Sequence, residues 1–166
     1  MNSSATRVKI LLLSAQKEIV MRRKLPKTVR MYTGDDFYYA ELIAGEQGYS
    51  DALHGIFDAI APAASAALAR LAAGDRKSFD DILAPTVPLS RHIFRDPTRF
   101  YKTGIVFLAY LNGFQDHFIM IGGQQSARSL VHFADIFRLA DAARMLRDPD
   151  LAAHRMRGVL AVGGIA

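Results

Sequence analysis

Near the start of the chain, Val8-Lys9-Ile10-Leu11-Leu12-Leu13 is an apolar run interrupted by one lysine. Strand alternation would place Lys9, Leu11 and Leu13 on one face and Val8, Ile10 and Leu12 on the other. The charged segment from Ala15 to Leu25 follows, with Ser14 as its N-cap and Pro26 as its stop, and this predicts a helix. A second apolar run, Val29 to Thr33, predicts another strand that ends at Gly34-Asp35-Asp36. Phe37 to Glu46 is amphipathic and is loosened at its end by Gly45 and Gly48, and Ala52 to Phe57 reads as a third strand. Strands alternating with helices imply crossover connections and a parallel sheet.

Beyond this point the pattern is helical throughout. Pro62 to Ala73 is alanine-rich and is broken by Gly74-Asp75. Ser78 to Phe94 has helical spacing but contains Pro85 and Pro88, so it must bend or split. Asp96-Pro97-Thr98 starts a strongly apolar helix that runs through Leu111 and stops at Asn112-Gly113. Met120 to Gln125 reads as a flexible connection. Ser126 then caps a long helix to Leu146, with Leu130, Phe133, Ile136, Phe137, Leu139 and Ala140 on one face. Asp148-Pro149-Asp150 opens a last helix to about Val162. The expected class is α/β. A region of three parallel strands occupies 1–75, and a helical bundle packed on it as one structural unit occupies 76–166.

Composition removes several chemistries. The 166 residues contain no cysteine, which excludes disulfides, thiol catalysis and Cys-ligated zinc, and fits a cytoplasmic protein. The longest uncharged apolar stretch, Gly104 to Phe114, is about half of the roughly 20 residues that a spanning helix needs, so no membrane association is expected. The net charge of +5 is concentrated around Arg22, Arg23, Lys24, Lys27 and Arg30. Arg22 to Lys24 stand where cations complement the end of a helix dipole, and no nucleic-acid-binding signature accompanies them; no nucleic-acid partner is expected. The five histidines lack the spacing of a metal site, and neither metal nor cofactor is expected.

The remaining candidates for chemistry are Lys9, Gly34, Asp35 and His54. Gly34 at a strand end allows a backbone to approach a ligand closely, or simply a sharp turn. Asp35 and Asp36 are either an acid/base pair or, for one of them, the cap of the following helix. His54, in the third predicted strand, either faces a site or is a satisfied core residue.

The segments Val8-Lys9, Tyr32-Thr33-Gly34-Asp35-Asp36, Ala52 to Pro62, Gly74-Asp75 and Asp96-Pro97-Thr98-Arg99-Phe100-Tyr101-Lys102, in that order, resemble the C-terminal half of the dihydrodipicolinate synthase and N-acetylneuraminate lyase superfamily, the class I pyruvate aldolases. The likeness is greatest to an uncharacterised bacterial branch. It implies a partial TIM barrel, with strands six to eight and their helices followed by the C-terminal helices. It also implies a lyase or aldolase that forms a Schiff base with a 2-oxo acid such as pyruvate. Lys9 would be the nucleophile, in a desolvated setting that keeps its amine neutral, and Gly34, Asp35 and His54 would bind substrate. Three strands cannot close a barrel, so the active site is expected to be incomplete on this chain alone. A homo-oligomer or a missing N-terminal half would supply the rest. The competing expectation is a non-catalytic helical interaction or oligomerisation module.

Overall fold

The computed structural model describes residues 6–165. It divides the chain into two compact units, Met1–Asp58 and Ala59–Ala166. The division therefore precedes the expected boundary at 75 and assigns the alanine-rich helix to the second unit.

The first unit is α/β. Strands β1 (Arg7–Ile10), β2 (Arg30–Thr33) and β4 (Asp51–Ala52) form a parallel sheet in the order β1-β2-β4. Helices α1 (Ala15–Lys24) and α2 (Tyr39–Ala44) make the connections, and the two-residue strand β3 (Gly48–Tyr49) folds back on the end of α2. The β1–β2 register pairs Lys9 with Tyr32 and Ile10 with Thr33. Ile19, Met31, Leu42, Ile43 and Ile56 are buried apolar residues of this unit.

Two strands are shorter than expected. β1 stops at Ile10, leaving Leu11 50% and Leu12 45% exposed, and Leu13 turns the chain into α1 with φ +48°. The third predicted strand shrinks to two residues because Ile56–Asp58 forms a 3-10 turn that carries Ile56 inward. Ser14 does occupy the N-cap of α1, although its side chain makes no capping bond.

The second unit is helical wherever it has regular structure among the described residues. Helix α3 (Ala61–Ala72) ends at Gly74, whose φ of +80° is readily adopted only by glycine. Asp75 then caps α4 (Arg76–Leu83) by accepting from the Ser78 amide at 3.0 Å. The prolines split the next segment as expected, with a 3-10 turn at Ala84–Thr86 leading into α5 (Val87–Ile93). After a further turn at Thr98–Phe100 comes α6 (Tyr101–Leu111). The expected flexible connection is a folded 3-10 segment, Ile121–Ala127, with Gly122 and Gly123 in left-handed backbone. Helix α7 (Leu130–Ala142) begins at Ser129 and not at Ser126, since it is the Ser129 hydroxyl that accepts from the His132 amide. Arg128 holds the intervening backbone extended by donating to the carbonyls of Arg95, Asp96 and Pro97. Helix α8 (Pro149–Val162) is capped by Asp148, as its sequence indicates.

Phe107 is fully buried at the centre of this unit, with ring centroids 4.7 Å from Phe133 and 5.0 Å from Phe118. Gly104 lets α6 approach its neighbours, because a methyl group there would lie 3.0 Å from both Ile93 and Ile136. Asn112 ties the end of α6 to the α7–α8 turn, donating to the Met145 carbonyl and accepting from the Arg147 amide. Among the described residues no helix is long and apolar enough to cross a membrane.

Candidate functional site

Parallel strands direct all their C-terminal ends to one edge of a sheet, where ligands are bound in α/β folds. In the first unit that edge carries Thr33, Gly34, Asp35 and Asp36 after β2, the Leu11–Leu13 turn after β1, and His54 shortly after β4. Lys9, one residue before the end of β1, reaches it along its side chain. A methyl group added at Gly34 would lie 2.6 Å from Lys9 Cε and 3.3 Å from Nζ, so the lysine lies across the glycine. The Gly34 amide donates to the Ile10 carbonyl at 2.8 Å and extends the β1–β2 ladder to this point.

Lys9 is exposed, and the desolvation anticipated for a Schiff-base lysine is not supplied by the described residues. Gly34→Ala is expected to cost less than about 1 kcal/mol, because the nearest atom is the far end of a flexible side chain. It would push the Lys9 ammonium off the strand end. Urea unfolding together with the reactivity of Lys9 toward an amine reagent reads both effects. An unchanged lysine reactivity would show that the glycine does not set its position.

The two aspartates divide their roles. Asp35 Oδ1 accepts from the Phe37 and Tyr38 amides, at 2.9 and 3.0 Å, and so shapes the turn into α2. It does not cap the helix itself, whose N-cap is Tyr38 with no side-chain capping bond, and Asp35 is fully buried. Asp36 Oδ1 instead accepts from the Ile56 amide at 2.9 Å, across the site. Burial pushes the Asp36 carboxyl up to about 6; the Asp35 charge adds to this, while the Ile56 bond and the Lys9 charge oppose it.

His54 lies beside Asp36, with Nδ1 3.8 Å from Oδ1, beyond hydrogen-bond range. Its ring is enclosed by Phe57 at 4.9 Å and Tyr39 at 5.8 Å. Burial, then the Lys9 charge, lowers His54 to about 3, so the imidazole is neutral near pH 7 and does not form an ion pair with Asp36. Among the described residues neither ring nitrogen has a hydrogen-bond partner.

The structure adds Glu18 to this group. It is fully buried on α1, and its Oε1 accepts from the Leu12 amide at 3.1 Å, pinning the strained turn that follows the lysine strand. Burial raises its carboxyl above the ordinary range, partly offset by a hydrogen bond from Thr33. No periodicity distinguishes Glu18 from its charged neighbours, so the sequence hides it. Arg22 is similarly withdrawn from the expected solvated helix end. Its guanidinium donates to the Leu42 and Gln47 carbonyls and to the Ser50 hydroxyl. Among the described residues, no group of three or more potential ligands could hold a metal ion.

Fold and site together define an α/β protein with a lysine, a buried carboxylate and a buried neutral imidazole at the carboxyl edge of a parallel sheet. Residues 2–165 match the model of the family described as "Protein of unknown function (DUF993)". The chain belongs to that family. No curated protein matches it.

Proposed function

We propose that this chain carries the last three strands of a barrel of the pyruvate-aldolase type, and that Lys9 is the Schiff-base nucleophile of a lyase or aldolase acting on a 2-oxo acid. The observation that supports this reading best is the placement of Lys9 across Gly34 at the carboxyl edge of the sheet, with Asp36 and His54 next to it. The neutral amine attacks C2 of a 4-hydroxy-2-oxo acid and the C2 oxygen leaves as water. As the C3–C4 bond of the resulting iminium breaks, its electrons form the C2=C3 enamine, and C4 departs as an aldehyde once its hydroxyl gives up its proton to a base. An open strand end with no side chain at Gly34 gives the ketone access to the amine. Asp36, held near 6, titrates where proton transfer to and from the adduct is efficient.

The test is borohydride reduction in the presence of pyruvate, read by intact mass on wild type and Lys9→Ala. The expected result is a single reduced pyruvyl adduct on wild type and none on the variant, with both proteins folded by circular dichroism. An adduct that persists on Lys9→Ala would remove Lys9 from the role. An unmodified wild type would overturn Schiff-base chemistry on this chain and favour the non-catalytic interaction module.

A further inference from the structure

The second unit contains a groove of about 650 Å³, within the roughly 300–1,000 Å³ range of small-molecule sites. Aromatic rings line its body: Tyr110 of α6, Phe118 of the following connection and Phe133 of α7. The Phe118 ring meets Phe133 edge-on at 5.1 Å and stacks with Tyr110 at 6.3 Å, so the half-buried Tyr110 and Phe118 present a ring surface backed by the buried Phe133. Gly158 of α8 also lines the groove. A glycine within a helix costs about 0.5–1 kcal/mol relative to alanine. Here a Cβ would meet nothing within 4 Å, so the missing side chain leaves open space rather than relieving a clash.

The polar part of the lining, Gln125, Ser126 and Arg128, comes from one short stretch, which gives the groove a polar end and an apolar body. Arg128 alone carries a charge among the described lining residues. Its guanidinium is fixed by bonds to the carbonyls of Arg95, Asp96 and Pro97, which use three of its five N–H donors. Those carbonyl partners are neutral; the charge of Arg95 nearby adds to that of Arg128 and the Asp96 carboxylate offsets part of it. An apolar cleft with one preorganised cation at its end is complementary to an amphipathic anion.

We propose that this groove binds a small monocarboxylate with an aromatic or branched apolar tail, the carboxylate facing Arg128 and the tail lying on Tyr110, Phe118 and Phe133. This assignment stands on the second unit alone and is independent of the chemistry proposed for Lys9.

The test uses the full chain with 4-phenylbutyrate as the probe, 4-phenylbutanamide as its uncharged counterpart, and Gly158→Phe as the blocking variant. Gly158→Phe fills open space and replaces a helix glycine, so the urea midpoint is expected to hold or rise. In wild type the carboxylate is expected to shift the ring resonances of the three aromatics saturably, with the amide about tenfold weaker. Gly158→Phe is expected to abolish the shifts. Equal binding of the amide would overturn the role of Arg128, and retained binding in Gly158→Phe would place the ligand elsewhere. Absence of any saturable shift in wild type, or self-association that buries the rings before ligand is added, would overturn the site itself.

Discussion

Phe107→Ala is expected to destabilise the second unit by about 3–5 kcal/mol, the range found when a fully buried phenylalanine is truncated in a core that cannot collapse around the void. The relaxation needed to fill the gap is blocked on several sides. Phe133 and Phe118 are fixed against each other, and Gly104 one turn away on α6 already holds Ile93 and Ile136 at close contact. That loss is a large share of the 5–15 kcal/mol by which domains are usually stable. Urea unfolding followed by far-ultraviolet circular dichroism would register it as a much lower midpoint. A loss below about 1 kcal/mol would mean that the ring cluster repacks and is not the organising core of the helices.

The second large effect is acid sensitivity. His92 and His132 stack at 4.4 Å where α5 meets α7, with His92 Nε2 3.1 Å from the His132 carbonyl. Burial, then the charges of His92, Arg128 and Arg95, lowers His132 to about 4, with Asp135 opposing. Burial likewise lowers His92, offset in part by its bond to the His132 carbonyl. A histidine lowered in the folded state takes up its proton more readily when unfolded. Its contribution is therefore complete above about 6.5 and is lost as pH falls from there toward 4. The fall from the usual 6.5 to about 4 sets an upper bound of about 3 kcal/mol for His132, part of it shared with the charge of His92. His54 has the same sign over a window reaching down to about 3.

Asp36 works the other way. Its folded value near 6 lies above the unfolded one, so its contribution is complete below about 4 and is lost as pH rises through 6. In His132→Gln the urea midpoint should fall less steeply as pH drops from 6.5 to 4, the remaining loss coming from His54 and His92, while Asp36→Asn should steepen the acid loss. A wild-type midpoint that stays flat over this window would contradict the burial of the histidine pair.

How far the sequence revealed the fold depends on whether local chemistry or distant packing decides each element. Asp75 and Asp148 cap the helices that follow them, and Pro85 and Pro88 split theirs; these effects act over three or four residues and can be read directly. Ser126 and Ser129 are equivalent as local capping signals. The choice between them is made by Arg128 reaching the carbonyls of residues 95 to 97, which no local pattern encodes. The third strand was overextended for a similar reason, because the Asp36 carboxylate takes the Ile56 amide and helps fix a turn where alternation suggested a strand.

The candidate site divides along the same line. Lys9, Gly34, Asp35 and His54 stand out by residue type and position, and the fold gathers them at one sheet edge. The roles of Asp36 and Glu18 depend on burial created by segments far away in the chain, and a charged residue within a charged segment gives no sign of it.

Arg22 carries a consequence for which substitutions the chain can tolerate. Helix α2 has only six residues, too few to persist on backbone bonds alone, and the Leu42 carbonyl in its last turn is taken by a guanidinium from another helix. The same fork holds the Gln47 carbonyl and the Ser50 hydroxyl, three acceptors that a single ammonium cannot span. Arg22→Lys keeps the charge and scores as a mild exchange, yet it would release the far end of α2. Faster amide hydrogen exchange at Ile43 and Ala44 would record that release. Positions of this kind are permissive in charge and strict in shape, and drift at Arg22 should be far narrower than at Lys24 only two residues away.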